Sequence, residues 1–459
     1  MTLTYILQTV VKIAIMVGFL FNVGGILTWV DRRQSAMIQD RIGPNRAVVK
    51  VFGKEFRLAG LLHPAADGVK FFFKEDFVPP RADKLLFALA PIISMVPVLV
   101  LIAVIPFGET ICPSKLWAVS KDGNLLWPAV ERYGMCVTDI RSGAAPIPLQ
   151  VASLNVGLLF VFAFAGQSII GAAMAGAASD NKFSLMGALR AASQMVSYEV
   201  TLGLSLIGMI MIGGIRLDEI VRWQGDNAWG IFVQPLMFFV FFAAAVAESK
   251  RIPFDLPEAE SELVSGYFTE YSGMKFGMFY FAEYMEIVTS SMLIVTLFLG
   301  GWQLPFVHRD GLTIAFGEAV LVKQVIPHIW VVVISVLAFF GKVLALCWIQ
   351  AFVRWSLPRF RYDQLMMLCW KVMLPLSLAN IFVTGIVMLA LREASPGFMG
   401  VLQVLADCTQ ALVAVVITYF VLRGIIGMFQ PKRTERTIVG TAAARAAALG
   451  GTPEGAMQP

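Results

Sequence analysis

Charge is what this sequence has least of. Only 15% of its 459 residues are Asp, Glu, Lys or Arg, against 58% hydrophobic, and the mean hydropathy is +0.75. A soluble protein of that length needs more polar surface to stay dissolved, which excludes an ordinary water-soluble fold. Cysteine is also sparse. Cys112, Cys136, Cys347, Cys369 and Cys408 form no C-x-x-C pair and no ferredoxin-like run. An iron–sulfur cluster or structural zinc held by this chain is therefore not expected. There is no Gly-rich phosphate loop after a strand, no soluble domain of ordinary size and no internal repeat. The net charge of +5 does not point to nucleic acid, because the basic residues are scattered over short connections. A stretch rich in Ala and Gly near 441–451 reads as a short surface helix or a disordered tail.

What the sequence does have is apolar residues in long blocks. One bilayer crossing needs about 20 mostly apolar residues, since roughly 30 Å of hydrocarbon is covered at about 1.5 Å per residue. Nine stretches qualify: 5–30, 85–107, 154–178, 196–215, 229–247, 276–302, 329–352, 372–391 and 398–422. The sixth is the least clean, because Glu283 and Glu286 sit inside it. The first has no basic residue ahead of it and no small-residue cleavage site, so it reads as a retained helix. The expectation is an all-α, polytopic membrane protein of about nine transmembrane helices.

Most Lys and Arg fall in the connections after spans one, three, five and seven and in the C-terminal tail. That bias places the N-terminus outside and the C-terminus in the cytoplasm. The chain then divides into a first helix (1–30), a cytoplasmic connection (31–84) and a second helix (85–107). A periplasmic loop (108–150) precedes helices three to eight (151–391), which include an acidic cytoplasmic connection at 248–275. An additional helix (392–425) and a cytoplasmic tail (426–459) follow. Cys112 and Cys136 share the periplasmic loop, where an oxidising compartment permits a disulfide; the alternative is two unbridged thiols.

The cytoplasmic connections carry more chemistry than a tether needs. Asp31-Arg32-Arg33 follows the first span, and Gly43-Pro44-Asn45 is a turn signal. The basic residues here also suit plain inside anchors. From Leu62, the residues Ala66, Val69 and Phe73 make one apolar helix face, while Asp67, Lys70 and Lys74 fall on another. This is the pattern of an in-plane amphipathic helix, at a level where a lipid-soluble substrate with a polar head could enter. The alternative is an interfacial packing element without a ligand.

Between Glu248 and Glu286 there are eight carboxylates and three bases. Asp255 and Glu258 are read largely as a helix cap and first turn. The rest need another reason. Glu258 and Glu262 form a like-charge pair one turn apart, and Glu248, Glu283 and Glu286 border or enter apolar spans. Charge at mid-bilayer costs roughly 2.5–3.5 kcal/mol on insertion scales. Glu199, at the start of span four, belongs with them. Carboxyls kept from water and close together share protons, so the set is read as a proton relay.

Several segments resemble one known family. They are Q-x-R-x-G-P-N at 39–45, P-x-A-D-G-x-K-x-F-x-K-E at 64–75, the run Gly187 to Gln194 leading into Ser197-Tyr198-Glu199, and Pro253 through Val264. Glu270-Tyr271-Ser272-Gly273, Ala282-Glu283-Tyr284 and Pro358 through Met366 complete the set. Together they resemble the complex I (NADH:quinone oxidoreductase) membrane subunit called H in bacteria and subunit 1 in mitochondria, in the family's order over most of the chain. The resemblance implies a bacterial inner-membrane subunit at the junction of the redox arm and the pumping modules. It also implies part of a ubiquinone or menaquinone tunnel and a glutamate-lined coupling channel.

Carried over, tunnel candidates are Arg32, Arg41, Asp67, Lys70, Arg190 and Arg354. Coupling candidates are Glu199, Glu248, Asp255, Glu258, Glu260, Glu262 and Glu283. Quinone is then a substrate, nothing is bound covalently, and electrons arrive from iron–sulfur clusters on other subunits. The implied partners are the quinone-site and iron–sulfur subunits of the peripheral arm, the small neighbouring membrane subunits, and lipid. Departures are Asp31 where the family usually has Glu, His63 in place of Gln, longer stretches at 46–61 and in the periplasmic loop, and the ninth span. Rival readings are a related subunit of a membrane-bound hydrogenase or a stand-alone ion transporter, though transporters of this size often show internal repeats. Lys12 and Lys342, inside spans one and seven, either snorkel or join the polar axis.

Overall fold

Asp83 begins the second membrane helix by accepting from the backbone N–H groups of Leu85 and Leu86, and Asn181 starts another by accepting from Phe183. Such caps satisfy donors that a helix start leaves free. The computed structural model describes residues 3–51, 54–56, 60–112, 147–257, 264–308, 311–316, 319–393 and 396–429. Helices α1 (Leu3–Ile38), α2 (His63–Phe73), α3 (Lys84–Leu101), α4 (Gly157–Ala165), α5 (Gln167–Ala178), α6 (Lys182–Gly213) and α7 (Leu217–Asp226) come first. There follow α8 (Gly230–Val233), α9 (Pro235–Glu248), α10 (Gly273–Phe298), α11 (His328–Ser356), α12 (Tyr362–Met367), α13 (Leu374–Arg392) and α14 (Pro396–Phe429). A π-helical stretch, Leu368–Met373, joins α12 to α13.

Among the described residues, eight helices are long and apolar enough to cross a membrane, so the chain is an all-α, multi-pass membrane protein. The fifth expected stretch differs from the continuous reading. It breaks at Gln234–Pro235, leaving the 14-residue α9. Proline lacks the N–H that would continue the helix, and it sits at the first position of α9, where none is needed. The third stretch is interrupted between α4 and α5 at Gly166. The first runs past residue 30 to Ile38, so Asp31 and Arg32 lie on the helix.

Two small antiparallel sheets lie in connections and were not anticipated. One pairs β1 (Val49–Val51) with β2 (Lys54–Phe56). The other orders β3 (Val307–His308), β4 (Gly311–Phe316) and β5 (Ala319–Val325) as a three-stranded meander.

The chain divides into two units, 1–410 and 411–459. In the first, α10 is the most enclosed long helix, with neighbours α1, α3 and α11. Small residues let α3, α5 and α6 approach closely. A Cβ at Gly171 would collide with Ser94 Oγ, and one at Gly176 would collide with Ala188 Cβ. Such contacts replace hydrophobic drive where lipid is as apolar as the helix face. The described part of the second unit, 411–429, is the last portion of α14.

Candidate functional site

Pro64 starts α2 as a short helix with one charged face, and that helix packs on α1 and α10. Between them is a cavity of about 530 Å³, within the range of small-molecule sites. Arg32, Asp67 and Lys70 contribute its charged groups, and Phe71, Tyr280 and Phe281 contribute rings. Arg32 is ion-paired to Asp67, and Lys70 Nζ lies 3.9 Å from the same carboxylate. The remaining wall is mainly apolar, so the space suits a ligand with a polar head on an apolar body.

Tyr280 leads inward. Its hydroxyl lies 3.1 Å from that of Tyr284, one turn further along α10. Tyr284 donates to Asp31 Oδ2 at 2.8 Å. The same oxygen accepts from Arg251 Nη1 at 2.9 Å and Arg354 Nη1 at 2.6 Å. The Arg251 guanidinium also stacks over the Tyr284 ring, 3.7 Å from its centroid. Burial works against the charge on Arg251, but the nearby carboxylates of Asp31 and Glu283 outweigh it and keep the guanidinium protonated. Among the described residues, Arg251 Nε and Nη2, Arg354 Nε, and the side-chain amide oxygens of Gln34 and Gln350 are buried and find no protein partner. Polar atoms left this way are ordinarily satisfied by bound water.

The connection after α9 splits its two bases between two acids. Arg251 reaches Asp31, while Lys250 Nζ lies 3.7 Å from Glu286. Lys250 adopts a left-handed φ of 55°, rare outside glycine. Gln194 of α6 secures the turn, donating through Nε2 to the carbonyls of Ala247 and Phe254, both at 2.7 Å. Beyond Glu286 is a second, small cavity of about 30 Å³, onto which Glu199, Glu248 and Glu286 all open. That is room for about one or two waters. Ser168 Oγ, also on its wall, is buried and finds no protein partner among the described residues. Glu199 is admitted by the helix break: a Cβ at Gly166 would lie 2.8 Å from its Oε1.

Known proteins are similar to this sequence over most of its length. The sequence model of the NADH dehydrogenase family matches residues 11–385. In Cytophaga hutchinsonii, H subunit 1 of the NADH-quinone oxidoreductase is 41% identical over 359 residues, which cover 78% of this chain and 90% of that protein. The chain belongs to the family of NADH-quinone oxidoreductase H subunits. The Geobacter metallireducens H subunit 2 (40% over 387 residues, 84% and 96% covered) and the Flavobacterium psychrophilum H subunit (40% over 370 residues, 80% and 92% covered) agree. The family match ends within α13, so α14 and the tail lie beyond it.

The residues that the family resemblance singles out distribute unevenly. Arg32, Asp67 and Lys70 meet at the large cavity, and Arg354 joins Asp31. Arg41 is exposed just past α1 and donates to Gln39 and Ser35. Arg190, half-buried on α6, does not line the large cavity. Glu199 and Glu248 share the small cavity. Glu283 is buried on α10, where Tyr267 donates to it at 3.4 Å, and Asp255 is buried in the connection. Glu258, Glu260 and Glu262 lie outside the described residues. Cys112 is disulfide-bonded, and Cys136 lies outside the described residues.

Sequence reasoning missed Asp31, Lys250, Arg251, Tyr280 and Tyr284 as site residues; it counted Glu286 among the relay acids but not among the residues carried over from the family. One signal was available: Tyr280, Tyr284 and Glu283 fall three and four residues apart, on one face of one helix.

Proposed function

We propose that this chain is the membrane subunit of a proton-translocating NADH:quinone oxidoreductase. It forms part of the quinone-binding tunnel and the acidic channel that couples quinone reduction to proton movement. Quinone is the substrate, taking up two electrons and two protons to become quinol. The electrons come from iron–sulfur clusters on partner subunits of the peripheral arm, while this chain holds no redox centre and binds nothing covalently. The protein lies in a bacterial cytoplasmic membrane with its N-terminus outside and its C-terminus in the cytoplasm. Small membrane subunits and lipid surround it.

The observation that carries this reading is the run of polar contacts between the two cavities. Arg32, Asp67 and Lys70 offer donors and an acceptor to a quinone head, while Phe71 and Phe281 flank its apolar part. From the wall of that cavity, Tyr280, Tyr284 and Asp31 form a hydrogen-bonded series ending on Arg251. Its sequence neighbour Lys250 faces Glu286, which opens onto the space shared with Glu199 and Glu248. A change of charge at the quinone is felt along this series, because fields act over longer distances where water is excluded. Three carboxyls around so small a space do not all ionise together, so each gain or loss of charge nearby moves a proton among them.

Glu248→Gln and Glu283→Gln, each in the assembled enzyme, test the reading. Quinone reduction and proton release should both fall, by on the order of 10²-fold where a transfer step is blocked. Wild-type rates and proton yields in both variants would remove the relay.

A further inference from the structure

Lys342 lies within α11, yet among the described residues what it touches is not a carboxylate. Its ammonium donates to the carbonyls of Leu299 at 2.7 Å, Gly301 at 3.0 Å and Gln303 at 2.6 Å. It also sits over the Trp229 ring, 4.2 Å from the centroid. Three carbonyls and an aromatic face make a cage for a monovalent cation, here filled by a tethered one.

The cage is built into the end of α10. The Gly301 N–H donates to Val295 O at 2.8 Å, six residues back, in the manner of a Schellman cap. Gly300 and Gly301 both take left-handed backbone, with φ of 71° and 51°. A Cβ at Gly300 would strike Trp229 Nε1 at 2.7 Å, so only glycine lets the ring lie against the turn. Two further groups of this helix end are answered by Gln224 of α7, itself fully buried. Its Nε2 donates to Thr296 O at 3.0 Å, and its Oε1 accepts from the Gly230 and Gly300 N–H groups at 2.9 Å. A cation beside free carbonyls at a helix C-terminus is favourable, more so away from water.

We propose that Lys342 is a positioning residue: its ammonium anchors the end of α10 and so fixes the register of the helix that presents Tyr280, Glu283, Tyr284 and Glu286. The inference rests on the coupling role of those residues given above. Lys342 touches none of them and acts through the helix. A rigid helix transmits a shift along its axis, and a displacement of about 1 Å far from the chemistry can cost on the order of 10²-fold in rate.

The test uses the assembled complex. In Lys342→Met, amide exchange of the segment 296–303 should accelerate while that of α1 stays as in wild type. The kcat for quinone reduction should fall by at least about tenfold, with KM for quinone unchanged. In Lys342→Ala, added ammonium chloride should restore a substantial part of kcat, with sodium chloride and wild-type protein as controls. If Lys342→Met assembles poorly, Lys342→Arg, which keeps a cation and its donors, should assemble better. Unchanged exchange at 296–303, absence of ammonium rescue, or an Arg variant no better than Met overturns the anchor. Altered exchange and ammonium rescue in a protein whose Glu248→Gln and Glu283→Gln variants are fully active would keep the anchor and overturn the coupling role instead.

Discussion

One oxygen of Asp31 accepts from two guanidinium groups and a phenol. Removing that charge leaves Arg251 and Arg354 side by side in a buried setting, and breaking such a pair costs about 3–5 kcal/mol. Asp31→Asn is therefore expected to lower the amount of assembled subunit and its thermal midpoint. Asp31→Glu, which keeps the charge, should stay close to wild type. Gly166 offers a finer probe. Glycine-to-alanine exchange within helices normally stabilises by roughly 0.5–1 kcal/mol, but here the new methyl would lie 2.8 Å from Glu199 Oε1. The far end of that side chain can yield, so stability should hold while Glu199 shifts. Gly166→Ala should leave the melting temperature unchanged and reduce quinone-linked proton release several-fold; an unaltered proton yield would mean that Glu199 does not act from this position.

Element lengths explain what could and could not be read from the sequence. Runs of about 20 apolar residues are imposed by bilayer thickness, and this is why the order of spans was legible. The helix breaks were not. Hydropathy averages over a window, so a break at Gln234–Pro235 or Gly166 leaves the score of its span untouched. The continuation of α1 to Ile38 was hidden for the opposite reason: its charged residues looked like the start of a loop, although they still form helix. That error concealed Asp31, since its partners come from three distant segments whose meeting no local pattern records. The short helix α2 was legible because its charged and apolar faces alternate at helical spacing. It also supplies a test. Gly277 of α10 lines the large cavity, and a Cβ there would already meet Phe71 Cγ at 3.3 Å. Gly277→Val should therefore narrow the space and raise KM for long-tailed quinones more than it lowers kcat. An equal effect on kcat and no effect on KM would place the quinone elsewhere.

At the scale of the whole molecule, the decisive property is incompleteness. A stand-alone transporter has to bind, translocate and release its ion within one chain, whereas the polar series here begins at a cavity suited to an amphipathic substrate. Reducing such a substrate takes electrons, and in the proposed function these come from partner subunits. Purification in mild detergent through a tag on this chain should bring down a large assembly whose absorbance includes flavin and iron–sulfur centres. Its NADH:quinone activity should be lost together with those partners. A detergent-solubilised monomer that moves protons by itself would instead show that the acids form a complete pathway without a redox arm, and the rival transporter reading would take its place. The two outcomes differ because charge at a quinone can drive the carboxyls only if something delivers electrons to it.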